Sequence, residues 1–229
     1  MKSTYKFIAL LVIILGAGCK KELNKAPIGL ITPDQISTDP KLGTVTSSVT
    51  SSYKLLASTL NIIGQWGWDD GTVLRNVFIL QDIASGDMQK KWNPDGDQAW
   101  MDEFSKFNFT ASNGGFNGQW SYDFEGISRC NKAISYLTDE AVISKIGITP
   151  ALKNRMLGEV YFLRAFYYFD LVNNFGDTPL LLKPLKDFND AYEAAKRVPK
   201  AQIWAQISTD LAAAKPLLPN SKYSDNTDK

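Results

Sequence analysis

Residues 150–176 constrain this chain more than any other stretch. Leu152, Met156, Leu157, Val160, Leu163, Phe166, Tyr167 and Leu171 follow one another largely at spacings of three and four, the repeat that gathers side chains on one side of an α-helix. Thr149 offers an N-cap and Pro150 a first-turn proline. Gly176 stops the pattern and Pro179 lies just beyond. The predicted helix therefore runs from Pro150 to Asn174 or Phe175. Its apolar surface covers so much of the circumference that a single neighbour cannot bury it, so several must.

Other ladders supply those neighbours. Leu42, Val45, Val49, Tyr53, Leu56, Leu60 and Ile63 predict a helix from about Asp39 or Pro40 to Ile63. Val73, Val77, Leu80 and Ala84 predict a second, over Val73 to Ala84. Trp120, Phe124, Ile127, Cys130 or Asn131, Ile134 and Leu137 form a third. A last helix is expected from Pro199 to about Lys215, carrying Ile203, Ile207 and Leu211, before Pro216 and Pro219. Leu180 to Leu185 reads as extended and proline-bounded. Strand alternation of useful length is missing, and no glycine-rich phosphate loop follows a strand. The fold class is all-α, built of helix pairs. Ala165 and Phe169 stand four apart as in tetratricopeptide units, with alanine at a close helix contact and phenylalanine filling the groove. Between Ser85 and Gly118 the periodicity fails and five glycines gather with several aromatics. A long irregular stretch of that kind is usually functional.

The N-terminus says where the chain works. Lys2 and Lys6 precede an apolar run from Phe7 to Leu15, too short for the ~20 residues of a membrane-spanning helix and suited to a secretory signal. Gly16, Ala17 and Gly18 are small, and Cys19 follows at once, the mark of a lipoprotein signal. Cleavage before Cys19 would leave an acylated cysteine that holds the protein at a membrane surface. The position usually held by leucine in such signals is Gly16 here. Residues 1–18 are thus read as signal peptide, 19–32 as a lipid-anchored tether with polar Lys20 to Gly29, and 33–229 as the helical domain.

Several chemistries are excluded. Net charge is +1, and removing Lys2 and Lys6 with the signal takes it to −1, so no concentrated basic surface points to nucleic acid. The sequence holds no histidine, which removes Ser-His-Asp and Cys-His catalysis and His-ligated metals. With Cys19 lipidated, Cys130 is a single thiol in an apolar stripe, expected buried and inert. Asn93, Asp95 and Asp97 evoke a calcium loop, but Gly96 is not at the required sixth position. No metal and no cofactor are expected.

Three stretches together resemble the SusD/RagB family of nutrient-binding lipoproteins. The strongest runs from Gly158 to Pro179, with Phe162-Leu163-Arg164-Ala165-Phe166, Tyr167-Tyr168 and Phe175-Gly176-Asp177. The second runs from Trp120 to Asn131 and the third from Ile207 to Pro219. Val160 and Thr178 depart from the family's usual Ala and Val. The resemblance implies tetratricopeptide-like helical hairpins with long irregular ligand-binding loops, and it identifies this chain as an N-terminal portion, since the third motif normally precedes further helix pairs.

It also implies a function. Such proteins bind without catalysis, capturing glycans at the outer membrane, facing the cell exterior, and passing them to a SusC-like TonB-dependent transporter. The alternatives are a RagB-like peptide-binding lipoprotein or a glycoside hydrolase, which needs paired carboxylates across a cleft. Flat aromatic faces cover the apolar side of a sugar ring while amides and carboxylates bond its hydroxyls. By that chemistry the candidate ligand residues are Trp92, Asn93, Asp95, Asp97 and Trp100, with Trp66, Trp68 and Asp87 beside them. The competing reading is that Trp92 and Trp100 pack the loop onto the body. Trp120, Arg164, Gly176 and Asp177 are read as architectural, with Arg164 and Asp177 expected to form a buried ion pair.

Overall fold

A helix apolar on most sides must be surrounded, and the computed structural model shows how. It describes residues 38–57, 78–90, 96 and 99–220, nearly all within one unit, Pro40–Lys229. In chain order the helices are α1 (Leu42–Lys54), α2 (Ala99–Ser105), α3 (Gly114–Leu137), α4 (Glu140–Ile146), α5 (Pro150–Phe175), α6 (Phe188–Ala194) and α7 (Lys200–Ala214). Strands β1 (Thr178–Pro179) and β2 (Arg197–Val198) pair antiparallel, Thr178 opposite Val198 and Pro179 opposite Arg197. α5 lies between α3 and α7 as its main neighbours, and α1 packs on α3 and α5. Among the described residues no helix is long and apolar enough to cross a membrane.

The local signals of α5 work as read. Thr149 Oγ1 accepts from Leu152 N at 3.3 Å, and Gly176 ends the helix at φ +67°, a backbone state that suits glycine. Ala165 sits buried at a helix contact, as expected. Phe169 does not fill a groove: it stays 47% exposed, edge-on to Trp204 at 5.7 Å. Close approach instead comes at Gly126 of α3, where an added Cβ would meet the Tyr167 ring at 2.6 Å. Tyr167 cannot yield, because its hydroxyl donates to the Ser52 carbonyl at 2.6 Å.

Several boundaries move. α1 begins at Leu42 and continues as a 3-10 turn, Leu55–Ala57; the rest of the expected helix, including Leu60 and Ile63, lies outside the described residues. Its buried face also turns, from Tyr53 and Leu56 to Ser52 and Leu55, because Tyr122 and Tyr167 donate to the Leu55 and Ser52 carbonyls. The second expected helix is described only as a π-helical stretch, Phe78–Ile83, running into Ala84 and Ser85, with Val73 and Val77 outside the described residues. The segment read as irregular contains α2 and the first five residues of α3. Its glycines serve contact: a Cβ on Gly115 would lie 2.8 Å from the Phe104 ring. The short helices α4 and α6, unforeseen, are capped by Asp139 and Asp187.

One buried charge ties the layers. Arg164 meets Asp210 of α7 with two hydrogen bonds, Nε to Oδ2 at 2.8 Å and Nη2 to Oδ1 at 2.7 Å. Its Nη1 donates to Asn131 Oδ1 of α3 at 2.8 Å. Asn131 Nδ2 donates in turn to the Leu181 carbonyl at 3.0 Å, and Tyr168 holds the same residue through both its N–H and its carbonyl. The partner of Arg164 is therefore Asp210 and not Asp177. The reason is geometric: from Arg164 to the end of α5 the helix rises about 17 Å, too far for a carboxylate at that end. Asp177 is exposed and accepts from Lys200 N at 2.8 Å, capping α7.

A fork-on-fork pair in a dry core is costly to half-remove. Asp210→Ala is expected to lose about 3–5 kcal/mol in urea denaturation, by leaving Arg164 charged and buried. Pairing Arg164→Met with Asp210→Leu should recover a large part of that loss; no recovery would show that the hydrogen bonds to α3, not the charge pair, carry the cost.

Candidate ligand-binding groove

The aromatic ladder of α3 does not end in the core. Phe116 and Trp120, four apart and so on one side of the helix, reach the surface where α5 stops. Phe175, the last residue of α5, stands edge-on to Trp120 at 5.2 Å and to Phe116 at 6.4 Å. Gly176 then turns the chain into β1. The pairing of β1 with β2 sets Arg197 opposite Pro179 and lays its guanidinium over the Trp120 ring, 5.5 Å from the centroid. Between these parts lies an open groove of about 610 Å³, lined also by Ala111, Ser112, Asn113, Asn117 and Asn174.

The polar groups on the groove differ in what they can offer. Asn113 is fully engaged: Nδ2 donates to the Trp100 carbonyl and to Glu103, and Oδ1 accepts from Gly115 N, capping α3. Ser112 pairs with Thr110 at 2.9 Å. Asn174 donates to the Asp170 carbonyl at 2.8 Å and keeps its amide oxygen. Asn117 is exposed, and no side-chain partner holds its amide. Aromatic rings beside uncommitted amides can cover the apolar side of a ligand while bonding its hydroxyls.

Of the residues singled out from sequence, Trp66, Trp68, Trp92, Asn93, Asp95, Asp97 and Cys19 lie outside the described residues. Trp100 is half-buried and packs on the cluster of Ile83, Met101 and Phe104, and a Cβ on Gly115 would lie 3.0 Å from its ring. The packing reading is the one its geometry favours. Asp87 is exposed, with its N–H on Ser85 Oγ at 3.3 Å, and neither residue lines the groove. Trp120, read as architectural, holds its place against Phe124 and Phe175 and also forms a wall of the groove. Phe116, Asn117, Asn174, Phe175 and Arg197 were not singled out from sequence.

Other reactive groups are quiet. Burial pushes the Cys130 thiol up to about 12, so it stays protonated and inert near neutral pH. A second cavity of about 220 Å³ is lined by Asp102, Glu103, Lys106 and Asn108 among others, but Asp102 is paired with Lys90 at 3.0 Å and Glu103 with Asn113. Among the described residues no cluster of His, Cys, Asp or Glu is placed to hold a metal ion.

Known proteins share this fold. The family SusD-like_3, described as "Starch-binding associating with outer membrane", matches residues 37–229. SusD-like protein P2 of Formosa agariphila is 24% identical over 224 residues, covering 96% of this chain and 39% of its own length. Surface glycan-binding protein A from Bacteroides fluxus superposes with a TM-score of 0.58 at 27% identity, over 76% of this chain and 33% of its own. A laminarin-binding SusD-like protein superposes with a TM-score of 0.63 at 23% identity, over 81% and 36%. This chain thus spans 39% of the curated relative's length.

Because Trp100 is packed against Phe104 and Gly115, Trp100→Ala should act on the fold. The expected result is a loss of about 2 kcal/mol in denaturation midpoint analysis, less than a fully buried tryptophan would give. An unchanged midpoint would return Trp100 to the list of ligand contacts.

Proposed function

The chain belongs to the SusD-like family, and from that premise we propose that it captures glycans at the cell surface and hands them to a SusC-like TonB-dependent outer-membrane transporter. The observation that carries the binding step is the groove: three aromatic side chains, Phe116, Trp120 and Phe175, beside the Asn117 amide and the amide oxygen of Asn174. The names of two relatives, a surface glycan-binding protein and a laminarin-binding protein, support a sugar ligand over a peptide. The transporter partner rests on the family resemblance.

The proposed layout keeps residues 1–18 as the signal, Cys19 as the lipid anchor, 19–32 as the tether and 33–229 as the SusD-like helical domain. The family description associates it with the outer membrane, and a lipidated Cys19 would supply the attachment. Trp66, Trp68, Trp92, Asn93, Asp95 and Asp97 are proposed as further sugar contacts on aromatic and acidic loops. Capture then works as delivery: a bound glycan escapes more slowly, and the energy for import comes from the transporter.

Hydrolysis is disfavoured by what lines the groove. Glycosidases place two carboxyl groups about 5–9.5 Å apart across the scissile bond, and among the described residues no Asp or Glu lines this one.

Native gel electrophoresis in gels containing starch, laminarin or pectin, beside pull-down with oligopeptides, tests this reading. At least one glycan should retard the full chain without being shortened. Asn117→Ala should weaken that retention several-fold, the equivalent of about 1 kcal/mol for one hydrogen bond. Retention by peptides alone, release of shorter sugars, or an indifferent Asn117→Ala would each contradict it.

A further inference from the structure

The arginines of this chain are treated unequally. Among the described residues, Arg129 pairs with Glu125 at 2.8 Å, Arg155 with Glu159 at 3.5 Å and Arg164 with Asp210 at 2.7 Å. Arg197 is exposed, and no carboxylate among the described residues pairs with it. The carboxylates nearby in sequence are already engaged: Glu193 with Lys196 at 2.6 Å and Asp177 with the Lys200 N–H. Glu103, behind Asn113, is held by the amide of that residue.

What does hold Arg197 is the Trp120 ring. A cation over an aromatic face is held there electrostatically, and an exposed guanidinium so placed still has N–H groups to offer a ligand. The group is thus placed at the groove before any ligand arrives, and a guanidinium's donors form the flat fork that matches a carboxylate or sulfate. Val198, its strand neighbour, packs against the core, so alternation along β2 turns Arg197 to the opposite side.

We propose that the groove selects glycans bearing an anionic substituent, a uronate carboxylate or a sulfate ester, and that Arg197 is the specificity-determining residue. This rests on the groove being the glycan site. The anion takes the Arg197 fork, the sugar's apolar side lies along Phe116 and Phe175, and Asn117 takes a hydroxyl. A neutral glycan would leave the fork without a partner, while an acidic one gains a charge-assisted pair. The net charge of +1 is too small to draw polyanions to the whole surface, so any preference has to arise locally.

Titration calorimetry on the full chain with matched glycan pairs provides the test. One arm compares oligogalacturonate with its carboxyl-reduced form, a second oligomannuronate with its reduced form, and a third chondroitin sulfate with its desulfated backbone. At least one acidic member should bind about tenfold tighter than its neutral match, the size of one charge-assisted contact. Preference in the first two arms assigns a carboxylate, and in the third a sulfate. Arg197→Gln, checked by circular dichroism for an intact fold, should bring acidic and neutral members within about twofold. Lys132→Gln removes the same charge on an exposed turn of α3 far from the groove and should leave the preference intact. Equal binding of acidic and neutral members overturns the proposal but leaves glycan capture standing. A preference that survives Arg197→Gln, or falls equally with Lys132→Gln, also overturns it. If no member of any pair binds, the groove reading falls with it.

Discussion

Arg164, buried in α5, reaches three other segments at once: Asp210 of α7, Asn131 of α3 and the Leu182 carbonyl beyond β1. A charge at that depth survives only when nearly every donor is met, so the segments that supply acceptors are held to a narrow set of positions. Helix packing alone would allow α3, α5 and α7 to slide by fractions of a turn. A two-pronged arginine–carboxylate pair permits far less, because its donors and acceptors lie in one plane. Tyr168 adds a second fastening on Leu181, so the chain leaving α5 is pinned on its way towards β2.

That pinning is what makes a surface groove possible from parts remote in sequence. Phe116 and Trp120 come from the start of α3, Asn174 and Phe175 from the end of α5, and Arg197 from β2. Two-residue strands have little stability of their own. The β1–β2 pair holds because Thr178 and Pro179 are buried against a frame already fixed. Trp120 shows the division of labour within one side chain, steadying Phe124 and Phe175 while holding the Arg197 guanidinium over its ring.

Sequence reasoning read the frame better than the site, for physical reasons. α5 was legible because its apolar period is long and both ends carry caps. α7 was legible for its period and its flanking prolines. The start of α3 was hidden by Gly114, Gly115 and Gly118, which weigh against a helix unless one knows that Phe104 and Trp100 press on Gly115. α4 and α6 are too short to show a period, although Asp139, Asp187 and Gly147 at φ +65° were local signals for their ends. The partner of Arg164 could not be chosen from residue types, since Asp177 and Asp210 are equally acidic and only the run of α5 separates them. The groove was invisible because a two-residue strand pair assembles it.

The account stands on a rigid helical frame presenting that groove as the place where a sugar is held. Hydrogen–deuterium exchange on the full chain, with and without a retained glycan, tests this most directly, because bound ligand slows exchange where it sits. The account predicts added protection over residues 111–120, around Asn174 and Phe175, and at Arg197 and Val198, with the buried face of α5 unchanged. Protection confined to residues 85–100, or absent from the α3–α5 end, would contradict it.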